Sequence, residues 1–397
     1  MRAKIFAVLN PNLLLIDFFR NLTFFLFQNE SYQILLKEEC LKQNVNFKEV
    51  YTAFHARSLI YNLLLSLNKA HPDKTQIILP SYTCKVVVNS VLKAGLEPVF
   101  VDSKKSHFLI EPDCISSAVN DKTLMVFIQH TFGFQQIYDS EFFKSKGVFI
   151  LEDFAHAYLN FEEEKYADFK LLSFGQNKLF SSSYGGALLT KTKYSIGKNL
   201  KTLNCLQVLY SHLRSSLIYL VIKTYHIGIG SILAKLLKLN FTALKQVSEI
   251  EKKGKVKDIK YYSLPNSQAY LIYNALKNYK NNHFDHRTKL FEIYKSRINK
   301  HLQFDDIGLQ GLCFPLRVVD PIKLYNFMKA KGVYINLDWT GSNLVPATKG
   351  FDYLNQNKNF TNSFNNSLHL VGLPVNLQTK VEEAIRVSNL INEFYAS

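Results

Sequence analysis

A lysine between two apolar segments is the residue of this sequence best placed for covalent chemistry. Lys178 follows the apolar segment 170–174 and precedes a turn rich in serine and glycine, after which residues 187–190 again read as a buried strand. Burial favours the neutral amine and lowers the pKa of a lysine, and a neutral amine attacks an aldehyde. Ser173 offers a hydroxyl for a phosphate group. Together these residues indicate a lysine bonded to pyridoxal phosphate (PLP), with an ordinary surface lysine as the alternative.

A second stretch has the features of a phosphate site. Residues 54–67 are predicted to form a helix, because apolar residues recur at the spacing of one buried helix face. Its amino terminus falls near Ala56, Arg57 and Ser58, where unpaired backbone N–H groups, a guanidinium and a hydroxyl would together bind a phosphate. The alternative is a capped helix with one surface arginine.

The segments around these residues predict a sheet that would bring them together. Four continuous apolar runs, at 76–80, 98–102, 124–130 and 148–153, alternate with helical stretches. Continuous apolar runs separated by helices indicate a mainly parallel sheet covered on both faces. In such sheets ligands bind beyond the carboxyl ends of the strands. Four polar residues stand at these ends: Gln129, His130, Glu152 and Asp153.

Composition limits the class of protein. The chain has 397 residues, 47% of them hydrophobic and 20% charged, which is ordinary for a folded protein of two domains. The five cysteines are scattered and form no CxxC pair, which indicates a reducing compartment and no zinc site or other metal site. The net charge of +16 fits a coding bias, an anionic membrane or a phosphorylated substrate. A nucleic-acid partner is not expected, since no known binding motif is present.

The chain divides into four predicted parts. Residues 1–50 read as a helical N-terminal segment without a signal peptide, 51–190 as the large cofactor domain, and 261–397 as a smaller α+β domain. Residues 191–260 form a basic, apolar helical insert and linker, with the linker near 252–255, and in this part Lys and Arg outnumber Asp and Glu by 14 to 3. Within the insert, 214–239 is predicted either to pack as ordinary helices or to lie at the surface and contact an anionic membrane weakly.

Four motifs carry a family resemblance when they are read in this order. They are Pro80-Ser81-Tyr82-Thr83, His130-Thr131-Phe132-Gly133, Glu152-Asp153-Phe154-Ala155-His156-Ala157, and Ser173-Phe174 with Lys178 and Gly185-Gly186-Ala187. The set resembles the DegT/DnrJ family of PLP-dependent sugar aminotransferases, over roughly residues 40–395. The resemblance implies an α/β fold, the PLP-dependent transferase fold type I, with a mainly parallel large-domain sheet and a smaller α+β C-terminal domain.

The resemblance also implies a role for each matched residue. Lys178 would bond to the cofactor and shuttle the substrate proton, and Asp153 would pair with the pyridine nitrogen. His156 would lie near the phenolic oxygen of the ring.

The phosphate would be held by Ser173 with Arg57 and Ser58. Cys84 stands where the family has an aromatic residue stacked on the cofactor ring.

The implied activity is transfer of an amino group, from glutamate or another amino-acid donor, to a nucleotide- or lipid-linked keto-sugar in the cytoplasm, by a homodimer. One departure bears on assembly, because residues 259–263 lack the asparagine that the family sends into the neighbouring subunit. Two alternatives are a non-catalytic or regulatory protein of the same fold and a PLP-dependent sugar dehydratase. The dehydratases usually carry histidine at the lysine position, so Lys178 argues against the second.

Overall fold

A seven-stranded sheet forms the centre of the large domain. The computed structural model describes residues 5–7, 12–13, 15–157, 166–176, 178–180, 184–196, 200–237, 239, 261–278, 283–305, 311–337 and 360–396. The sheet contains β2 (Glu49–Ala53), β3 (Gln76–Pro80), β4 (Glu97–Val101), β5 (Thr123–Gln129), β6 (Phe149–Asp153), β7 (Phe169–Ser173) and β8 (Gly186–Thr190). Their order is β2-β8-β7-β6-β5-β3-β4, and β8 alone runs antiparallel to its neighbours. The predicted mainly parallel sheet is confirmed.

Helices cover both faces of this sheet, as the continuous apolar strands require. One face packs on α3 (Ala56–Ala70) and α4 (Lys85–Lys93). The other packs on α2 (Ser31–Lys42), α6 (Ser140–Ser145) and α9 (Asn266–Lys277). The short helix α5 (Pro112–Ser117) connects β4 and β5.

The C-terminal region forms a smaller α+β unit, also as predicted. Its antiparallel strands are β9 (Phe314–Arg317) and β11 (Leu370–Leu373). Its helices are α10 (Asp285–Arg297), α11 (Pro321–Ala330), α12 (Thr361–Leu368) and α13 (Val381–Ala396). The sequence suggested one long helix from residue 265 past Arg287, which is wrong: α9 ends at Lys277 and α10 starts at Asp285.

The N-terminal segment also differs from its helical prediction. Ile5–Phe6 forms β1, which pairs in parallel with β10 (Val333–Tyr334) of the C-terminal unit. Helix α1 begins only at Leu15 and ends at Leu22. A two-residue strand made by pairing across more than 300 residues leaves no periodicity that a local pattern could reveal.

The insert begins with two packed helices. They are α7 (Cys205–Thr224) and α8 (Ile229–Leu236), joined by a 3-10 turn. Among the described residues, one helical stretch, Cys205–Ile227, is long and apolar enough to cross a membrane. Half of its most apolar part is buried inside the protein. The predicted linker at 252–255 lies outside the described residues.

A buried polar cluster fastens α7 to the rest of the molecule. His212 contacts Asn21 Oδ1 through Nδ1 and Ser267 Oγ through Nε2, both at 2.8 Å. Its ring also stacks on Phe24 at 4.8 Å. The cluster joins α7 to α1 and α9, so the insert and the N-terminal segment are docked together on the large domain.

This cluster makes stability depend on pH. Burial lowers the pKa of His212 to about 4. The buried neutral histidine therefore contributes to the free energy of unfolding above the ordinary pKa of histidine. This contribution is lost as the pH falls from the ordinary pKa to the lowered one. Between pH 7 and pH 5 we expect that free energy to drop by about 2 kcal/mol more in the wild type than in His212→Gln. Urea titrations at both pH values measure the difference.

The matched control is His301→Gln at an exposed histidine. It should keep the pH dependence of the wild type. An identical pH dependence in His212→Gln would contradict the role of this cluster.

Candidate active site

Lys178 lies in the turn that follows β7. Its backbone N–H donates to the Gly175 carbonyl at 2.9 Å, and its carbonyl accepts from Asn12 Nδ2 at 2.7 Å. Asn12 is itself buried and accepts from the backbone N–H of Leu377 at 3.2 Å. The turn is thus held by the N-terminal segment, which is anchored in turn to the C-terminal unit.

Asp153 is the last residue of β6, the strand next to β7. It is 6% exposed, and the backbone N–H of Ala155 donates to its Oδ1 at 2.9 Å. Burial raises the pKa of the Asp153 carboxyl, while the Ala155 N–H and the charge of Lys178 act in the opposite direction. Asp153 ends β6 and Lys178 lies in the turn after the neighbouring strand β7, so both residues lie at the same edge of the sheet.

His156 completes the buried end of this site. Its Nδ1 accepts from the backbone N–H of Phe132 at 3.5 Å, and the two rings lie nearly parallel, with centroids 5.6 Å apart. Burial lowers the pKa of His156 well below its ordinary value, and the charge of Lys178 adds to the effect. The imidazole is therefore neutral and stays next to the lysine.

The predicted phosphate residues converge at the other end of the site. Ser173 is paired with Gly186 across the β7–β8 ladder. A Cβ at Gly186 would lie 2.4 Å from the Cα of Ala56, so only glycine lets the first turn of α3 pack directly on β8. Arg57 and the fully buried Ser58 follow in that turn. The hydroxyl of Ser173 and the amino terminus of α3 thus share one edge of the sheet.

Lys178 and Ser173 lie on either side of Gly175 in the turn after β7. A Cβ at Gly175 would lie 3.8 Å from Lys178 Cγ and 4.0 Å from Ser173 Oγ. The charge of Lys178 also lowers the pKa of Asp153, against the larger effect of burial.

Cys84 lies next to the site through a chain of hydrogen bonds. It is the half-buried N-cap residue of α4. The hydroxyl of Thr83 donates to Gln129 Oε1 at 2.8 Å, and Gln129 pairs with Asp153 between β5 and β6. Asp153, Ser173 and Lys178 thus lie at the carboxyl ends of β6 and β7 or in the turn just after, and the other four predicted residues lie on segments that adjoin these strand ends.

His130, in contrast, contacts the opposite face of the sheet. Its Nε2 lies 3.8 Å from Glu152 Oε1, which also accepts from the Tyr138 hydroxyl at 2.9 Å. Neighbouring residues of a strand point to opposite faces, so Glu152 and Asp153 face different layers. The sequence left open whether His130 faces the site or is a packed histidine, and these contacts favour the packed histidine.

Sequence reasoning missed four residues beside the lysine turn. Arg214 of α7 donates to Gln176 Oε1 and to the Tyr184 hydroxyl, both at 3.3 Å. Tyr184 stacks on the ring of Phe54. The next residue, His55, has its pKa lowered to about 3 by burial and by the charge of Arg57. These contacts bridge 30 and 38 residues, so no local spacing signals them.

The segment expected to reach a neighbouring subunit packs on its own chain where the structure describes it. Residues 259–260 lie outside the described part. The backbone carbonyl of Tyr262 accepts from Phe54 at 2.9 Å, and the Tyr261 ring stacks on Tyr61 at 4.9 Å. The segment therefore borders the first turns of α3, next to the predicted phosphate site.

Comparison with known sequences identifies the central part of the chain. Residues 51–205 match the model of the DegT/DnrJ/EryC1/StrS aminotransferase family. A GDP-perosamine synthase of Escherichia coli O157:H7 is 30% identical over 138 residues, which are 33% of this chain and 37% of that protein. A GDP-perosamine synthase of Vibrio cholerae is 26% identical over 137 residues, which are 32% of this chain and 37% of that protein. The chain thus matches little more than a third of the length of these curated relatives.

Comparison with solved structures extends the likeness in fold to the whole chain. Bacillus subtilis NtdA with bound cofactor PMP superimposes with a TM-score of 0.71 at 16% identity, over 100% of this chain and 86% of that one. Helicobacter pylori PseC, an aminotransferase involved in the biosynthesis of pseudoaminic acid, superimposes with a TM-score of 0.70 at 15% identity, over 98% of both chains. The predicted fold type I is therefore confirmed. The strand order and the family match thus agree that residues 51–205 resemble the DegT/DnrJ/EryC1/StrS aminotransferase family, within a chain that has the fold of these solved structures.

Proposed function

We propose that the crevice around Lys178 binds PLP and transfers an amino group from an amino-acid donor to a keto-sugar. The observation that carries the proposal is the position of Lys178, whose charge acts on buried Asp153 while its side chain starts beside Ser173. A lysine placed between a buried carboxylate and a phosphate cradle is what attachment of this cofactor requires.

The residues at the two ends of the crevice fit the two ends of PLP. A cation beside Asp153 would offset the burial that raises its pKa, and a protonated pyridine nitrogen is such a cation. At the opposite end, Ser173 and the amino terminus of α3 supply a hydroxyl and backbone N–H groups for a dianionic phosphate. We assign Asp153 to the ring nitrogen and Ser173, Arg57 and Ser58 to the phosphate.

When bound, PLP supplies an electron sink that stabilises negative charge at the carbon bearing the amino group. The side chains of the protein supply the proton transfers and the binding contacts. Lys178 moves the proton between that carbon and the cofactor. Asp153 holds a proton at the ring nitrogen. Neutral His156 and the half-buried Cys84 border the ring.

The names of the relatives support a sugar as the acceptor. Two relatives are named for perosamine synthesis and one neighbour for the biosynthesis of pseudoaminic acid. We therefore propose a nucleotide- or lipid-linked keto-sugar as acceptor and glutamate as donor, in the synthesis of cell-surface glycans. The free cysteines support a cytoplasmic location, since an oxidising compartment would favour disulfides.

Replacing Lys178 and Asp153 should produce two different failures. Lys178→Ala should lose the visible absorption of lysine-bound cofactor and the activity, while the pocket still holds free PLP. Asp153→Asn should keep the lysine-bound absorption but lose several orders of magnitude in amino-transfer rate, because the ring nitrogen loses its anion. Absorption spectra before and after addition of glutamate, followed by a transfer assay, distinguish the two. Full activity in Asp153→Asn would overturn its assignment, and no bound PLP in the wild type would reject the proposed function.

Arg57 is predicted to strengthen binding of the cofactor phosphate. Arg57→Ala should weaken PLP binding by about 1.5–3 kcal/mol, because a charge-assisted hydrogen bond is lost. Equilibrium titration of the apoenzyme with PLP measures the change. Arg297→Ala, at an exposed arginine of α10, is the control and should bind as the wild type does. Equal affinity in both variants would remove Arg57 from the site.

We also propose that the protein works as a homodimer. The support is its family, together with the position of Tyr261 and Tyr262 beside the first turns of α3, where the family brings in a neighbouring subunit. Sedimentation of the PLP-loaded protein at micromolar concentration should therefore give the mass of two chains. A monomer that binds PLP and transfers amino groups would contradict this proposal without affecting the chemistry.

A further inference from the structure

The first half of helix α7 buries several polar side chains and exposes large apolar ones, while its second half buries Ile218, Val221 and Ile222 in an apolar cluster. Ser211, His212, Ser215 and Ser216 are buried. The exposed side carries large apolar residues: Leu206 (74% exposed), Tyr210 (64%), Leu213 (45%) and Leu220 (40%). A surface helix of a globular protein ordinarily has the opposite orientation, with its apolar stripe facing the core.

Helix α1, which packs against α7, shows the same inversion. Asn21 is fully buried and hydrogen-bonded to the Asp17 carbonyl at 2.9 Å, while Asp17 and Arg20 form an ion pair at 3.0 Å. Its exposed residues are again apolar: Leu15, Ile16, Phe19 and Leu22. The 3-10 turn that follows adds exposed Phe25 and Leu26.

Helix α8 extends the surface beyond the end of α7. A Cβ at Gly230 would lie 2.0 Å from the carbonyl oxygen of Val221, so this glycine lets α8 pack closely on α7. The exposed residues of α8 and its last turn are Ile229, Ile232, Leu236 and Leu237. We call the exposed apolar residues of α1, α7 and α8 the outer apolar surface.

The charges around this surface are of one sign along the insert. Residues 205–237 contain three Lys and Arg residues and no Asp or Glu. Two of the cations, Lys223 and Lys235, are exposed. Apolar side chains with cations beside them fit the boundary between acyl chains and anionic headgroups. A second copy seated on the same helices would instead bring cations to a face that offers few carboxylates in return.

The apolarity of α7 does not by itself indicate a span across the bilayer. Half of the apolar stretch of this helix is buried in the protein, and His212 is hydrogen-bonded to both Asn21 and Ser267. Pulling α7 into a bilayer would expose these polar groups to lipid and break their bonds. Contact along the outer face leaves the cluster intact.

We propose that the outer apolar surface seats the protein on an anionic membrane, with α1, α7 and α8 lying in the plane of the interface. Lys223 and Lys235 contact lipid headgroups, and the exposed side chains of the three helices enter the headgroup–acyl boundary. The same α7 carries Arg214 to Gln176 and Tyr184 beside the lysine turn, so the membrane-seated helix is also part of the wall of the candidate site.

Flotation of the full chain with vesicles tests this proposal. The probes are vesicles of phosphatidylcholine alone and vesicles that also contain phosphatidylglycerol. We expect the wild type to float with the anionic vesicles and to remain behind with the neutral ones. Tyr210→Glu/Ile232→Glu should abolish flotation. Its matched control, Val45→Glu/Ile137→Glu, changes two exposed apolar residues (82% and 62% exposed) on other parts of the surface and should float as the wild type does.

A second variant keeps the test independent of folding. Lys223→Gln/Lys235→Gln leaves the apolar residues in place and should lower the partition coefficient on anionic vesicles about 30-fold, from roughly 1 kcal/mol per removed cation. Equal recovery of the wild type with both vesicle types, or with neither, would overturn the proposal. So would wild-type flotation of Tyr210→Glu/Ile232→Glu, or a fall in its oligomer mass without vesicles, which would assign the surface to a second copy. None of these readouts depends on amino-transfer activity.

Discussion

The pairing of β6 with β7 is the constraint on which the candidate site depends. It brings a buried carboxylate, Asp153, to the same edge of the sheet as Ser173 and the turn that holds Lys178. Burial raises the pKa of the carboxyl, and only nearby positive charge or hydrogen bonding makes the anion tolerable there. The proposed chemistry uses this carboxylate and the lysine together.

The packing of α3 on β8 fixes the other end of the crevice. Because Gly186 has no side chain, the helix terminus contacts the strand directly, opposite Ser173. Any larger residue at Gly186 would push the terminus away from the serine and separate the two halves of the proposed phosphate site. One glycine thus sets the spacing between the phosphate end and the lysine.

The sequence predicted the parts that depend on local patterns. Continuous apolar runs identified the strands, and the polar residues at their carboxyl ends predicted which edge of the sheet Asp153, Ser173 and Lys178 would share, as the structure shows. The features that the sequence did not predict correctly depend on contacts between distant segments. The pairing of Ile5–Phe6 with β10, the reach of Arg214 to Tyr184, and the break between α9 and α10 leave no repeat along the chain. The burial of Ser211, His212 and Ser215 was also hidden, because their hydrogen bonds run to backbone carbonyls and to the distant residues Asn21 and Ser267.

A covalent label tests directly whether Lys178 is the lysine that holds PLP. Borohydride reduction of the PLP-loaded protein fixes the bond, and mass mapping of the peptides locates it. A second lysine lies nearby: Lys170 is fully buried in β7, with its ammonium 4.0 Å from the centroid of the Phe154 ring. Lys170 pairs with Glu152 in the ladder and so faces away from Asp153. We expect a label on Lys178 alone, and a label on Lys170 or any other lysine would contradict the proposed role of Lys178.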